Sequence, residues 1–341
     1  MPDQIRSQLR AGPEAMALHQ KAIVWDCMAL DYVLNEPYAE RMVEGGVSVA
    51  NVSFAIEEDW EETLRNIENG LRKVEASRNL VLATCADDVL EAKRKSKLAV
   101  FIGTQGSTMV GKHLWRVQTL ARLGVRSIGL CYSPANLYGD GCGELRDAGL
   151  TFLGRDFIAA VNEQSILLAL SHCGHRTARE AVDLARAPVC THANAYGHNP
   201  NDRNRKDELI QALTAKGGMI GVCCLPRAVK TKNPNLSDLL DHHDYIARLV
   251  GSQYLGLGLD FIEGYVEHKQ ILPESHRWHT LRPDLWGTVD DFYTQTYPLG
   301  LHSILLLPNF TQGLLDRKYS EEEVLGSLGA NWLRTFRNFI G

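Results

Sequence analysis

Short runs of apolar and β-branched residues alternate along the chain with longer stretches whose apolar positions recur at helical spacing. The runs fall at residues 22–26, 46–54, 98–104, 125–131, 166–170, 188–191, 219–224 and 255–259. Between them the spacing predicts helices at 60–78, 114–123, 152–162, 176–186, 207–216 and 239–250. Gly124, Gly217 and Gly251 stand where three of these helices should stop. Eight strands with helices between them count out an α/β fold, the (β/α)8 TIM-type barrel. Residues 261–308 break the rhythm as a long insertion after the eighth strand, reading as irregular and carrying His268, His276, Trp278, His279 and Trp286. A segment in that place serves either as a cover over the site or as a packed excursion or subunit contact. Ser320 with Glu323 then signals a capped helix start, and C-terminal helices run to residue 339.

The length of 341 residues and a 45% hydrophobic composition suffice for one large core, so the expected organisation is a single domain over 1–341. The net charge of −5 is spread along the chain, and the basic cluster KRKSK at 93–97 reads as the end of a solvated helix, so no nucleic-acid surface is expected. No apolar run is long enough to span a bilayer, and residues 1–16 lack the apolar core of a signal peptide. The eight cysteines show no CxxC spacing and mostly sit in apolar runs. Reduced thiols in a cytoplasmic protein, with no membrane partner, is the expectation.

The candidate chemistry lies where the strands run out. Residues 166–192 read as strand, helix, strand, and each strand is followed by a histidine, His172 and His192. A parallel βαβ unit sets both at the carboxyl edge of neighbouring strands, where barrel enzymes keep their sites. One histidine after a strand is more often a polar loop residue; two in register suggest a shared divalent metal. The other strand ends supply Asp26-Cys27-Met28, Ser53, Gln105, Tyr132, Leu225 and Asp260. Asp260 reads either as a carboxylate moving protons to and from a metal-activated water or as a helix cap. Tyr132 reads as a donor to a developing oxyanion or as a rim aromatic. Gln105 is a weak ligand, a partner of the water or a supporting amide, and Asp26 is a third metal ligand or a hydrogen-bond partner. His198, in the loop YGHNPNDRN, is placed to touch substrate. His175 belongs to the first turn of a helix, while His242 and His243 fall in a helix away from the strand ends and are expected to be solvated.

A series of segments in order then resembles one family. SHCG at 171–174, ARAPVCTHANA at 185–195, DRNRKDELI at 202–210, GGMIGV at 217–222, GLGLDF at 256–261 and GANWLRTF at 329–336 are similar to the renal (membrane) dipeptidase family of the amidohydrolase superfamily. The resemblance implies a (β/α)8 barrel and a homodimer. It also implies metal histidines at His172 and His192, a proton-shuttling Asp260, and Arg203 as the grip on a substrate carboxylate. A guanidinium suits that task because it meets a carboxylate bidentately. The departures form a set. The family's opening Asp-Gly-His-Asn-Asp, whose histidine and last aspartate bind a second metal, is here Asp26-Cys27-Met28-Ala29-Leu30. Its bridging glutamate is replaced by Gln105, and its substrate-facing histidine by Tyr132. A thioether and an alkyl chain do not replace those ligands for a hard or borderline cation. This marks a divergent branch keeping half of a binuclear centre.

The expected function is therefore that of a mononuclear metal-dependent hydrolase with one divalent cation, Zn²⁺ by ligand type. It would cleave a dipeptide-like amide, or a related C–N or ester bond, in a small carboxylated substrate. Hydrolase or lyase chemistry on a carbon–carbon bond is the alternative within enzymes, and a catalytically silent small-molecule-binding barrel is the alternative outside them.

Overall fold

The computed structural model describes residues 2–267, 273–294 and 297–341. Eight strands form a parallel ring in the order β7-β6-β5-β4-β2-β1-β9-β8, and a parallel bridge from Cys190 to Ile220 brings its two ends together. They are β1 (Val24–Leu30), β2 (Val47–Ala55), β4 (Leu98–Thr104), β5 (Val125–Gly129), β6 (Leu167–Ala169), β7 (Pro188–Val189), β8 (Ile220–Val222) and β9 (Leu255–Leu257). All eight strands predicted from the hydrophobic runs are present. The ninth, β3 (Leu80–Leu82), was not predicted. It pairs with the first half of β4, Leu98 to Val100, while β5 pairs with the second half. Nearly every strand residue is buried, as expected for parallel strands covered by helices outside and filled by side chains inside.

Boundaries differ where burial rather than periodicity decides. β1 runs four residues past Asp26, because Cys27, Met28, Ala29 and Leu30 are buried and carry its ladder on to Val52 and Ser53 of β2. Asp26 therefore lies inside the strand, not at its end, beside an irregularity in the register between Asp26 and Ala29. The predicted helices form at Trp60–Ala76, Trp115–Arg122, Phe152–Asn162, His175–Leu184, Asp207–Ala215 and Leu236–Val250. The basic cluster closes the helix Ala86–Arg94, as expected. Ser320 caps Glu321–Leu325, its hydroxyl accepting from the Glu323 N–H while the Glu323 carboxylate accepts from Ser320 N. The last helix, Asn331–Phe339, seals the amino-terminal end of the barrel. There Phe336 packs on Trp25 and Phe101, with ring centroids 5.1 and 4.2 Å away.

Two expectations are corrected. The insertion after β9 is not irregular: it folds into short helices, among them Pro273–Leu281, Pro283–Trp286 and Val289–Thr294. Trp278, Leu285 and Trp286 pack against Ile56, Tyr132 and Cys142 in a cluster apart from the barrel core. His268 and the side chain of His276 lie outside the described residues. Nor are His242 and His243 solvated; both are fully buried. His242 bonds the Val229 carbonyl at 2.9 Å and receives the Ala195 N–H, while His243 bonds Ser327 Oγ at 2.9 Å and Tyr319 Oη. A long helix shared by several neighbours buries polar residues when each ring nitrogen has a partner.

The site is positioned by a close backbone crossing. A Cβ on Gly258 would lie 1.8 Å from the Thr191 carbonyl oxygen and 3.0 Å from His192 Cα, and one on Gly221 would lie 2.2 Å from the same oxygen. Only glycine lets the end of β9 come this near to His192. Gly258→Ala should cost about 1–3 kcal/mol by overpacking and shift His192; chemical denaturation alongside metal titration checks both effects, and an unchanged midpoint would refute the crossing. Burial lowers His243 from 6.5 to about 4. Being depressed in the folded state, it contributes stability that is whole above pH 6.5 and lost as pH falls toward 4, about 3 kcal/mol in all. The fall in denaturation midpoint between pH 6.5 and 4 should be shallower in His243→Gln than in the natural chain.

Candidate active site

His172 and His192 follow β6 and β7, and both rings are buried. Small hydroxyls fix them from behind. Ser171 Oγ accepts from the His192 N–H at 3.1 Å and bonds Thr191 Oγ1 at 3.0 Å. Thr191 Oγ1 lies 2.8 Å from His192 Nδ1, and Ser133 Oγ lies 3.5 Å from His172 Nδ1. With each Nδ1 on a hydroxyl, the two Nε2 atoms turn toward each other and lie 2.9 Å apart. Burial first, and the nearby Arg203 guanidinium second, hold both imidazoles well below their ordinary pKa, so both are neutral. The Tyr132 ring stacks on His172 at 4.1 Å, and burial raises its phenol far above the usual range.

A cavity over the carboxyl ends of the strands is lined by His172, Gln105, Tyr132, Leu225 and Asp260, and the insertion supplies its outer wall. A second, more polar pocket lies inside the barrel against both histidines, lined by Met28, Asn51, Ser53, Gln105 and Ser127 among others. Gln105 faces both pockets and donates through Nε2 to Ser53 Oγ at 3.3 Å. Asp260 has a left-handed φ of 56°. Its backbone is held from both sides: its N–H donates to Met28 O at 3.0 Å, and the Tyr297 hydroxyl donates to its carbonyl at 2.9 Å. Burial pushes its carboxyl up to about 6, with Arg203 pulling the other way.

The remaining candidates sit less directly. Asp26 is buried, and its Oδ1 accepts from Leu259 N at 2.8 Å and Met28 N at 3.1 Å, stapling β1 to the end of β9. Of the two roles open to it, hydrogen bonding is the one its contacts display. Among the described residues no group of three or more His, Cys, Asp or Glu gathers as a ligand set. Arg203 is 2% exposed and stands behind the cavity wall, with Nη1 bonded to the Ser171 carbonyl and Nε buried without a partner. His198 packs edge-on against His242, with centroids 4.6 Å apart, and lines neither pocket. His175 opens its helix as expected and faces Asp202 at 3.4 Å. Cys223, whose Sγ lies 4.0 Å from Asp260 Oδ2, and Tyr297 were missed. Cys223 reads in sequence as one more small residue of an apolar run; Tyr297 reaches the site only through the folding of the insertion.

The family model for membrane dipeptidase (peptidase family M19) matches residues 24–286. The chain belongs to this family. Family M19 is a family of metal-dependent hydrolases acting on dipeptides, and the chain takes its class from it. An uncharacterized dipeptidase from Schizosaccharomyces pombe is 26% identical over 323 residues, covering 87% of this chain and 70% of the relative. A dipeptidase from Aspergillus oryzae, aclJ, is 28% identical over 70% of this chain, which spans only about half, 51%, of that relative. Among solved structures, an amidohydrolase from Pseudomonas aeruginosa superposes with a TM-score of 0.86 at 26% identity, covering 96% of this chain and 99% of that one. A metallo peptidase from Rhodobacter sphaeroides, solved with a phosphinate mimic of the dipeptide L-Ala-D-Ala, shares the fold at a TM-score of 0.76 and 19% identity, covering 93% of this chain and 99% of that one.

Family M19 implies a metal cofactor, and His172 and His192 are the residues here whose chemistry suits one. Two neutral imidazoles with converging Nε2 atoms suit a borderline cation; two nitrogens on one tetrahedral ion would stand about 3.3 Å apart, against 2.9 Å here. Where a second ion would need charged oxygen and imidazole donors, the chain offers the thioether of Met28, the alkyl chain of Leu30 and the amide of Gln105. The purified M19 chain should hold about one equivalent of zinc per subunit and lose it in His192→Ala. Removing the hydroxyl behind that ring in Thr191→Val should weaken affinity about 10- to 100-fold. Two equivalents by elemental analysis would refute this reading.

Proposed function

We propose that the chain is a mononuclear member of M19 that hydrolyses a dipeptide-like amide in a small carboxylated substrate. The observation that carries this is the placement of neutral His172 in one cavity wall with the Asp260 carboxylate, while His192 Nε2 stands 2.9 Å from His172 Nε2. His172 and His192 would hold a divalent cation, Zn²⁺ by the chemistry of the two nitrogens, which when bound would supply Lewis acidity toward the scissile carbonyl and the attacking water. Asp260 accepts the proton of that water on its carboxylate and delivers it to the departing nitrogen. A carboxyl at about 6 suits both halves of that task, being mostly ionised near neutral pH yet basic enough to take a proton. Tyr132, kept protonated by burial, donates to the developing oxyanion. Gln105 orients the water from between the two pockets, and the positive charge of Arg203 behind the wall draws the substrate carboxylate inward.

With an L-dipeptide panel and zinc-loaded protein, Asp260→Asn should lower kcat by about 10²- to 10⁴-fold while metal content stays at the natural level. Because Asp260 acts as a base, kcat/KM should fall as pH drops through about 6, and that limb should vanish from the residual activity of Asp260→Asn. Turnover that stays level down to pH 4.5, or survives intact in Asp260→Asn, rules out this assignment.

A further inference from the structure

The insertion after β9 forms a roof, and its inner surface has a definite character. It contributes Ile262, Trp286, Phe292 and Tyr297 to the mouth cavity, opposite Ile56 and Leu225 from the barrel. The roof is tied down by polar bonds. Arg282 donates to Asp202 Oδ2 at 3.1 Å and to the Gly143 carbonyl at 3.2 Å, Asn201 Nδ2 donates to the Leu285 carbonyl at 3.4 Å, and Arg227 pairs with Asp291 at 3.2 Å. Behind it, Trp278 backs Trp286 with centroids 5.7 Å apart and presses on Gly143, where a Cβ would meet the Trp278 ring at 2.5 Å. These anchors hold the aromatic lining in one arrangement.

The charges are one-sided. Asp260 and Asp291 line the cavity, and no lysine or arginine does among the described residues. Arg203 stands behind the wall with Nη1 committed to the Ser171 carbonyl, and Arg227 is committed to Asp291. A side chain entering this space loses water against aliphatic and aromatic surface, which favours a large apolar group. An acidic side chain would lose its hydration against this surface, and among the described residues the roof offers it no unengaged lysine or arginine, Arg227 being held by Asp291.

We infer that the roofed cavity selects substrates with a bulky apolar side chain and excludes acidic ones, with Trp286, Phe292 and Ile56 as the specificity-determining residues. This rests on the dipeptidase reading for the reacting amide but concerns a different part of the cavity, so the two can fail separately.

The test uses three non-hydrolysable phosphinate dipeptide analogues that differ in one side chain, benzyl, methyl or carboxymethyl. Each is titrated calorimetrically into the zinc-loaded protein. The benzyl analogue should bind about tenfold or more tighter than the methyl one, and the carboxymethyl analogue weakest of all. Trp286→Ala should shrink the benzyl preference to about threefold or less. Ile56→Lys, which places a cation in the wall without removing a roof aromatic, should raise carboxymethyl affinity relative to benzyl at least tenfold. Equal binding of the three, tighter binding of the carboxymethyl analogue, or no binding of any analogue overturns the inference. So does a benzyl preference that survives both variants. The expected binding order with no turnover of any dipeptide would overturn the peptidase reading and leave the selectivity standing.

Discussion

Two imidazole nitrogens facing each other across 2.9 Å in a buried barrel mouth constrain everything around them. Two lone pairs aimed at one point repel unless a proton or a cation sits between them. Each neutral ring carries one N–H, so either a shared N–H or a cation meets that need; burial and the Arg203 charge act only against a further proton that would make a ring cationic. The surroundings fix both rings in this facing position. Ser133 and Thr191 occupy the far ring nitrogens, Ser171 ties the two loops together, and glycine at 258 lets β9 come close enough to bring its aspartate to the same wall. The backbone at Asp260 pays for that approach with a left-handed conformation, held from both sides by Met28 and Tyr297.

The departures from the family pattern become coherent in this setting. A second ion would need negative ligands to offset its charge, and their loss without the loss of the ion would leave an uncompensated cation in a low-dielectric site. None of Met28, Leu30 and Gln105 carries a charge, and the inner pocket is lined by neutral polar groups such as Ser53, Asn51 and Ser127. Asp26, the surviving member of the opening motif, has its Oδ1 on two backbone amides.

How much of this was legible beforehand follows from how far apart the interacting residues lie. The eight barrel strands were readable because a strand buried on both faces writes itself as an unbroken apolar run. The polar positions at their ends were readable because polarity changes abruptly there, and His172, Gln105, Tyr132 and Asp260 do line one cavity. Short β3 was not, since three residues carry no period. Local pattern also gave no warning that His242 and His243 are buried, for their partners Val229, Tyr319 and Ser327 come from other elements. Asp26 was placed at a strand end because a polar residue normally stops an apolar run; here the strand continues through it. The position of Arg203 behind the wall, and the contacts of Cys223 and Tyr297 with Asp260, are tertiary facts with no local signature.

The roof separates two tasks along the chain. The groups assigned to the reaction come from residues before 261, whereas about half of the residues lining the cavity belong to a later stretch tied on by a few polar bonds. Exchange of that stretch would leave the hydrogen bonds behind His172 and His192 untouched, provided a hydroxyl is kept where Tyr297 holds Asp260. The same scaffold could therefore be retuned to new guests by rewriting some forty residues of sequence around that one fixed contact.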